Sequence, residues 1–331
     1  MRAIEFYGEE RLDLVERPDP VPADGELLIA PTAVGICGTD LEIFDGSLAY
    51  FRMGIAAYPI VPGHEWTGVV VDVGRGVTGF SAGDRVVGEV AIGCGVCVRC
   101  RAGRSHLCVR RTETGIVHMD GAMASRIVFP AAYAHRVALE PRAAALVEPT
   151  SVALHAVRRG NVAGRGVLIV GAGTIGLLAA QCALAEGAAS VLVTDPREDR
   201  VARAAALGFA SADAPAALGD GDLIDVAILC AGGPAPIASA FAAVRPGGTV
   251  VALGLCGAPT IPFDFDNLVV RDMNLIGVLG SVGYWDDAIE LIEHGRVLTE
   301  PLVSATYPLE RVRDALERLA RPGALKVLVT P

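Results

Sequence analysis

Four cysteines fall on one short segment, Cys94, Cys97, Cys100 and Cys108, spaced C-x2-C-x2-C-x7-C and interleaved with Gly93, Gly95 and Gly103. Four thiolates on a short glycine-punctuated lobe, at about 93–109, suit a closed tetrahedral zinc site with no position left for water. An iron–sulfur cluster and two disulfides are the competing readings. The spacing departs from the ferredoxin runs C-x2-C-x2-C-x3-C-P and C-x4-C-x2-C, and a reducing compartment disfavours disulfides. Structural zinc is therefore the expectation. A second set is dispersed: Cys37 in GICGTD, His64 and Glu65 in PGHE, and Glu148 before Pro149. One thiolate, one imidazole and carboxylate oxygens, with water in the last position, make an open zinc site of the catalytic kind. Singly, Cys37 also reads as a small buried hydrophobe, His64 as a satisfied turn residue and Glu148 as a surface acid. Spacing alone leaves both readings open.

Gly171-Ala172-Gly173-Thr174-Ile175-Gly176 follows an apolar strand pattern and opens a helix pattern, and Asp195 closes the next strand. The first glycine permits the turn, the second lets the backbone approach a pyrophosphate, and the third lets helix and strand pack closely. The pyrophosphate would sit on the helix N-terminus, where unpaired N–H groups and the dipole favour an anion. Asp195 accepts hydrogen bonds from adenosine ribose hydroxyls and repels a 2′-phosphate, which favours NAD over NADP. Arg197 and Arg200 stand where either could meet a 2′-phosphate, although a solvated helix start accounts for them equally.

The elements that position these residues form two regions. A length of 331 residues is too much for one small core and suits two domains of ordinary size. Up to Thr150 the chain carries short Val- and Ile-rich runs, such as Glu26–Ala30, Thr67–Val73, Arg85–Val90 and Ser125–Phe129, separated by Gly, Pro or Asp. This is an all-β texture. From Val152 onward, the strand patterns VLIVGAG, SVLVTD, DVAILCAGG, GTVVALGLCG and NLIGVLGS alternate with helical stretches, which implies parallel βαβ units. The tail from WDDAIELIEHG to VLVTP ends in a strand pattern that returns to the N-terminal region. The expected division is 1–151 with 282–331, and 152–281.

Composition narrows the function class. A net charge of −10 with no basic block argues against a nucleic-acid partner. The opening MRAIEFYGEERLDL interrupts any apolar export core with Glu5, Glu9, Glu10 and Asp13, so cytosolic residence is the default. Residues 166–184 are uncharged and long enough to cross a bilayer, but Gly171, Gly173 and Gly176 cut the run into strand, turn and helix. No membrane partner is expected. Cys182, Cys230 and Cys256 read as fillers of the second core. Lys326 is the one lysine among 28 basic residues, a bias suggestive of a GC-rich genome.

The segments GICGTD, PGHE, the four-cysteine lobe, VEP and VGAGTIG, in that order over nearly the whole chain, resemble the zinc-dependent medium-chain alcohol and polyol dehydrogenases. The resemblance implies a GroES-like β-barrel catalytic domain, a Rossmann doubly wound domain and an active-site zinc in the cleft between them. It implies Cys37 and His64 as zinc ligands, with Glu65 and Glu148 as third ligand or alternates, a pair similar to the sorbitol, threonine and glucose dehydrogenase branch. Thr39 matches the hydroxyl that passes the substrate proton, and Asp40 a residue supporting His64. Gly171, Gly173, Gly176, Asp195 and Arg200 match NAD positions. Many relatives carry His where this chain has Glu42, so here Glu42 relays the proton outward or leaves that to water. The chain also looks short for the family, which suggests trimmed loops.

The expected activity is hydride transfer from a secondary alcohol of a polyol or cyclitol-like substrate, including aminocyclitols, to NAD, with two zinc ions per chain. Tyr50, Arg52, Glu89, Glu113 and His118 are polar enough to line a pocket for a polyhydroxylated molecule, though each also reads as an ordinary loop residue. Glucose or aldose 1-dehydrogenation and threonine- or butanediol-type oxidation are the alternatives. A reading from another class is an inactive NAD- and zinc-binding structural or regulatory protein, which the intact Cys37, Thr39 and His64 disfavour. By resemblance, the strand Leu275–Leu279 pairs across a homodimer, and homotetramers are common in the branch.

Overall fold

The computed structural model describes residues 1–211, 224–256 and 260–331. The strands that matter below are, in chain order, β1 (Glu26–Ile36), β2 (Glu65–Val73), β3 (Arg85–Gly88), β4 (Ile127–Pro130), β5 (Ala134–Arg136), β6 (Gly166–Val170), β7 (Ser190–Thr194), β8 (Ala210–Ser211), β9 (Ile224–Leu229), β10 (Val244–Ala252), β11 (Asn274–Gly277), β12 (Val303–Pro308) and β13 (Lys326–Thr330). The helices are α1 (Gly38–Asp45), α2 (Val147–Gly160), α3 (Thr174–Ala185) and α4 (Glu198–Ala206). The chain divides into two units, Met1–Glu148 with Ser281–Glu293 and Thr299–Pro331, and Pro149–Gly280 with His294–Leu298. The short return of 294–298 to the second unit has no counterpart in the sequence-based division.

In the first unit a seven-stranded sheet runs β5-β3-β2-β1-β13-β12, with β4 also paired to β1. The long β1 alternates Leu27, Ile29 and Ala33 with less apolar positions, so one face turns into the core. Trp66 of β2 meets Phe129 of β4 edge-on, with ring centroids 5.0 Å apart, and both are fully buried. Burying each such side chain stabilises the fold by about 1.5–3 kcal/mol. Register then fixes the site. Gly35 of β1 lies opposite Glu65 of β2, and Ile36 lies opposite Val327 of β13. The end of β1, the start of β2 and the start of β13 therefore meet at one edge of the sheet.

The β texture of this region is interrupted by α1. Cys37 is extended, with φ −108° and ψ 166°, and its N–H donates to Asp40 Oδ2 at 2.8 Å, so Asp40 closes the first turn. Gly46, at φ +83°, ends the helix in the left-handed conformation that a side chain disfavours. An eight-residue helix opening on Cys rather than Ser, Thr, Asp or Asn shows little of the usual start signal.

In the second unit the sheet order is β8-β7-β6-β9-β10-β11, every pairing parallel. The uncharged run divides into β6 and α3 at the glycine turn, and among the described residues no helix is long and apolar enough to cross a membrane. The last residue of GTVVALGLCG, Gly257, lies outside the described residues. Two sequence expectations are corrected here. Cys182 is buried in α3, but Cys230 and Cys256 are only half-buried, because they follow the ends of β9 and β10 rather than lying within the core. The edge strand β11 stops at Gly277, short of Leu279.

Candidate active site

The meeting of β1, β2 and β13 gathers the dispersed residues. Cys37 Sγ, a ring nitrogen of His64 and a carboxylate oxygen of Glu65 lie within 4.8 Å of one another, with His64 and Glu65 buried. Glu148, at the start of α2, is buried in the same electrostatic neighbourhood. Burial first, and then the Glu65 charge, push its carboxyl up to about 7. His64 Nδ1 faces Asp40 Oδ1 at 3.6 Å, and neither atom has a hydrogen-bond partner. The gap is just beyond bonding distance, in the arrangement where one ring nitrogen serves a metal and the other is oriented by a carboxylate. Asp40 thus caps the helix with one oxygen and faces His64 with the other. Burial opposes charging His64, yet the neighbouring Asp40 and Cys37 hold its proton well above the ordinary range. A pocket this rich in anionic S, N and O donors favours a cation, and the donor set suits zinc.

Thr39 sits in the first turn of α1, its Oγ1 3.9 Å from Cys37 Sγ. Glu42 follows on the same helix, half-buried. Desolvation, and secondarily Asp45, raise its pKa against the opposing pull of Arg52.

Lys326 is a site residue that the sequence reading misses. It is buried, and its Nζ donates to Glu65 Oε1 at 2.7 Å, Glu65 Oε2 at 2.5 Å and the Ile36 carbonyl at 3.0 Å. The available signal is a single lysine opening an otherwise apolar strand, in a chain whose other basic residues are all Arg. Such a residue is almost never fully buried unless paired.

The four-cysteine lobe closes as its spacing implies. The sulfurs of Cys94, Cys97, Cys100 and Cys108 lie within 4.8 Å of one another, with separations of 3.5 Å for Cys97–Cys100, 3.8 Å for Cys97–Cys108 and 4.0 Å for Cys94–Cys100. A tetrahedron with Zn–S bonds of about 2.3 Å has edges of about 3.8 Å, which these separations bracket. Arg110 Nη2 donates to Cys94 Sγ at 3.3 Å, supporting its thiolate.

In the second unit Gly171 turns at φ +105°, and a Cβ on Gly176 would fall 1.7 Å from the Gly171 carbonyl oxygen. Only glycine fits at 176. Gly173 caps α3, with Thr174 and Ile175 opening the helix, so the free N–H groups of this end can hold an anion. Asp195 Oδ2 accepts from Ala172 N at 2.8 Å and from Arg200 Nη1 at 3.3 Å, while Oδ1 accepts from Arg197 N at 3.0 Å. The carboxylate is thereby locked onto the glycine turn. Arg197 pairs with Asp199 at 2.7 Å, whereas the buried Nε of Arg200 has no partner.

The polar residues expected to line a substrate pocket are largely engaged elsewhere. Arg52 donates to the Ser47 carbonyl, Glu89 pairs with His135 at 3.2 Å, and Glu113 pairs with Arg111 at 2.6 Å. His118 is exposed, at φ +52°, on the wall of a groove of about 430 Å³ shared with Met119, Ile127 and Val128. Tyr50 packs against the first unit's core.

Residues 23–139 match the alcohol dehydrogenase GroES-like domain, and residues 174–294 match the zinc-binding dehydrogenase domain. The chain belongs to the zinc-dependent medium-chain dehydrogenase family. It is 36% identical to an L-threonine 3-dehydrogenase of Saccharopolyspora erythraea, over 94% of this chain and 93% of that one. A sorbitol dehydrogenase of Bacillus subtilis is 31% identical, over 100% and 97%. Among solved structures, a zinc-binding dehydrogenase from Sinorhizobium meliloti 1021 bound to NADP superposes with a TM-score of 0.92 at 29% identity, over 100% of this chain and 99% of that one. The family membership makes this chain an NAD(P)-linked, zinc-dependent alcohol dehydrogenase.

Proposed function

We propose that the protein oxidises a secondary alcohol of a small polyhydroxylated substrate, a polyol or cyclitol, to the ketone with NAD, using one catalytic and one structural zinc per chain. The convergence of Cys37, His64 and a buried carboxylate beside the Thr39 hydroxyl carries this reading. Cys37 and His64 hold the catalytic metal together with Glu65 or Glu148, and Asp40 orients the imidazole. Zinc, when bound there, supplies the Lewis acidity that favours loss of the alcohol proton. Thr39 takes that proton, and Glu42, half-buried on the same helix with a raised pKa, is the next acceptor outward. The second unit serves the cofactor. Gly171, Gly173 and Gly176 admit the pyrophosphate to the end of α3, and the Asp195 carboxylate meets the ribose. NAD accepts the hydride, and the protein supplies its orientation. The exposed Leu275 on the edge strand β11 supports assembly into a homodimer or homotetramer.

A threonine-type β-hydroxy amino acid is the second reading, favoured by the 36% identical relative. Initial rates of NAD and NADP reduction with polyols, cyclitols, aldoses, amino alcohols and threonine distinguish them. The proposal predicts the highest kcat/KM on a polyol or cyclitol with NAD. A preference for threonine would replace the substrate and keep the chemistry, and no turnover on any alcohol would overturn the reading.

Cofactor choice has its own test. Asp195→Ala removes charge-assisted hydrogen bonds of about 1.5–3 kcal/mol, so the NAD-to-NADP ratio of kcat/KM is expected to fall by about 10- to 100-fold. An unchanged ratio would show that Asp195 serves only the glycine turn.

A further inference from the structure

Two buried carboxylates, Glu65 and Glu148, face the Cys37–His64 pair, and an open zinc site takes three protein ligands. We propose that Lys326 is a positioning residue that reserves Glu65 from the metal and so makes Glu148 the carboxylate of the catalytic set. This inference rests on the zinc reading above and concerns which side chains complete the site.

Three observations carry it. An ammonium has three N–H donors, and all three of Lys326 are spent, two on the oxygens of Glu65 and one on the Ile36 carbonyl. Both Glu65 oxygens are therefore held by a cation from β13, at the residue that opens the strand. Second, the place of Glu65 is built into the sheet. A Cβ on Gly35, its cross-strand partner, would fall 2.2 Å from Glu65 Oε2, so the carboxylate occupies space that only glycine leaves open. Third, the pair is enclosed, with side-chain exposures of 4% for Lys326 and 1% for Glu65. Moving Glu65 onto a metal would leave a buried ammonium without its counter-charge, which is strongly unfavourable. Glu148 enters from α2, and Lys326 has no donor left to hold it.

The arrangement also balances charge. With Cys37 as thiolate, His64 neutral and Glu148 as carboxylate, the ligand set carries two negative charges against the dication. Lys326 cancels Glu65 separately. Were Glu65 the ligand instead, Lys326 would be a net buried cation beside a metal.

Zinc content per chain, measured on dialysed full-length protein by inductively coupled plasma mass spectrometry, tests this without relying on activity. Glu148→Gln is expected to fall from two zinc ions to one, with at least about 10-fold weaker affinity at the catalytic position, whereas Glu65→Gln retains two. The double variant Lys326→Met/Glu148→Gln frees Glu65 and is expected to recover the second zinc. In cobalt-substituted protein, Lys326→Met is expected to shift the visible d–d bands as Glu65 joins the metal, and Lys326→Arg to leave them in place. Loss of zinc from Glu65→Gln, or its retention by Glu148→Gln, would overturn the inference, and this single-variant comparison decides even if Lys326→Met fails to fold. Cys37→Ser run in parallel separates the two levels. If it keeps two zinc ions, the zinc reading of the site fails. If it loses one and Glu65→Gln does too, only the role of Lys326 fails.

Discussion

Cys37→Ser is expected to lower kcat/KM by about 10⁴-fold while NAD still binds with nearly unchanged affinity. The loss corresponds to about 5.5 kcal/mol of transition-state stabilisation, within the several kcal/mol that a Lewis-acid metal contributes. Cys37 supplies the thiolate among the residues gathered at the end of β1, and its N–H anchors Asp40, which faces His64. A serine hydroxyl keeps the backbone bond to Asp40 but is a poor zinc ligand at neutral pH. The glycine turn and Asp195 belong to the other unit, so cofactor affinity, read by NADH fluorescence titration, should survive. Retained turnover would remove Cys37 from the catalytic centre.

The second large effect belongs to the lobe and concerns stability. Cys100→Ser opens a site whose four sulfurs lie at tetrahedral spacing, on a segment with a four-residue helix and little apolar core of its own. Structural zinc sites contribute folding free energy outright, and losing about 4 kcal/mol from a unit of this size lowers Tm by about 10 °C. Differential scanning fluorimetry should show that drop for Cys100→Ser and a much smaller one for Cys37→Ser. Equal melting of Cys100→Ser and wild-type protein would mean that the lobe holds itself together without metal.

What is legible in the sequence follows from how local the constraint is. The glycine turn can be read directly because its demand is steric and within a few positions: Gly176 admits no Cβ beside the Gly171 carbonyl. The four-cysteine lobe is equally plain, since its ligands lie on one short segment. Cys37, His64 and Glu148 need the resemblance, because their meeting depends on the register of β1 against β2 and on where α2 begins. Lys326 is invisible for the same reason carried further. It lies 261 residues from Glu65, and only the pairing of β13 with β1 brings it to the site. In the sequence its rarity reads as genome composition; in the structure it marks a buried counter-charge. The choice between Glu65 and Glu148 is likewise undecidable from spacing, which says nothing of where a lysine spends its donors. Arg52, Glu89 and Glu113 err in the opposite direction, polar residues whose partners lie within the fold.

The central claim is that the dispersed Cys37, His64 and carboxylate cluster is a metal centre in addition to the lobe. Zinc content of the purified wild-type chain tests it most directly, counted by inductively coupled plasma mass spectrometry after dialysis against metal-free buffer. The account predicts two zinc ions per chain, falling to one in Cys37→Ser and one in Cys100→Ser. A wild-type chain holding one zinc that Cys37→Ser leaves in place would contradict it.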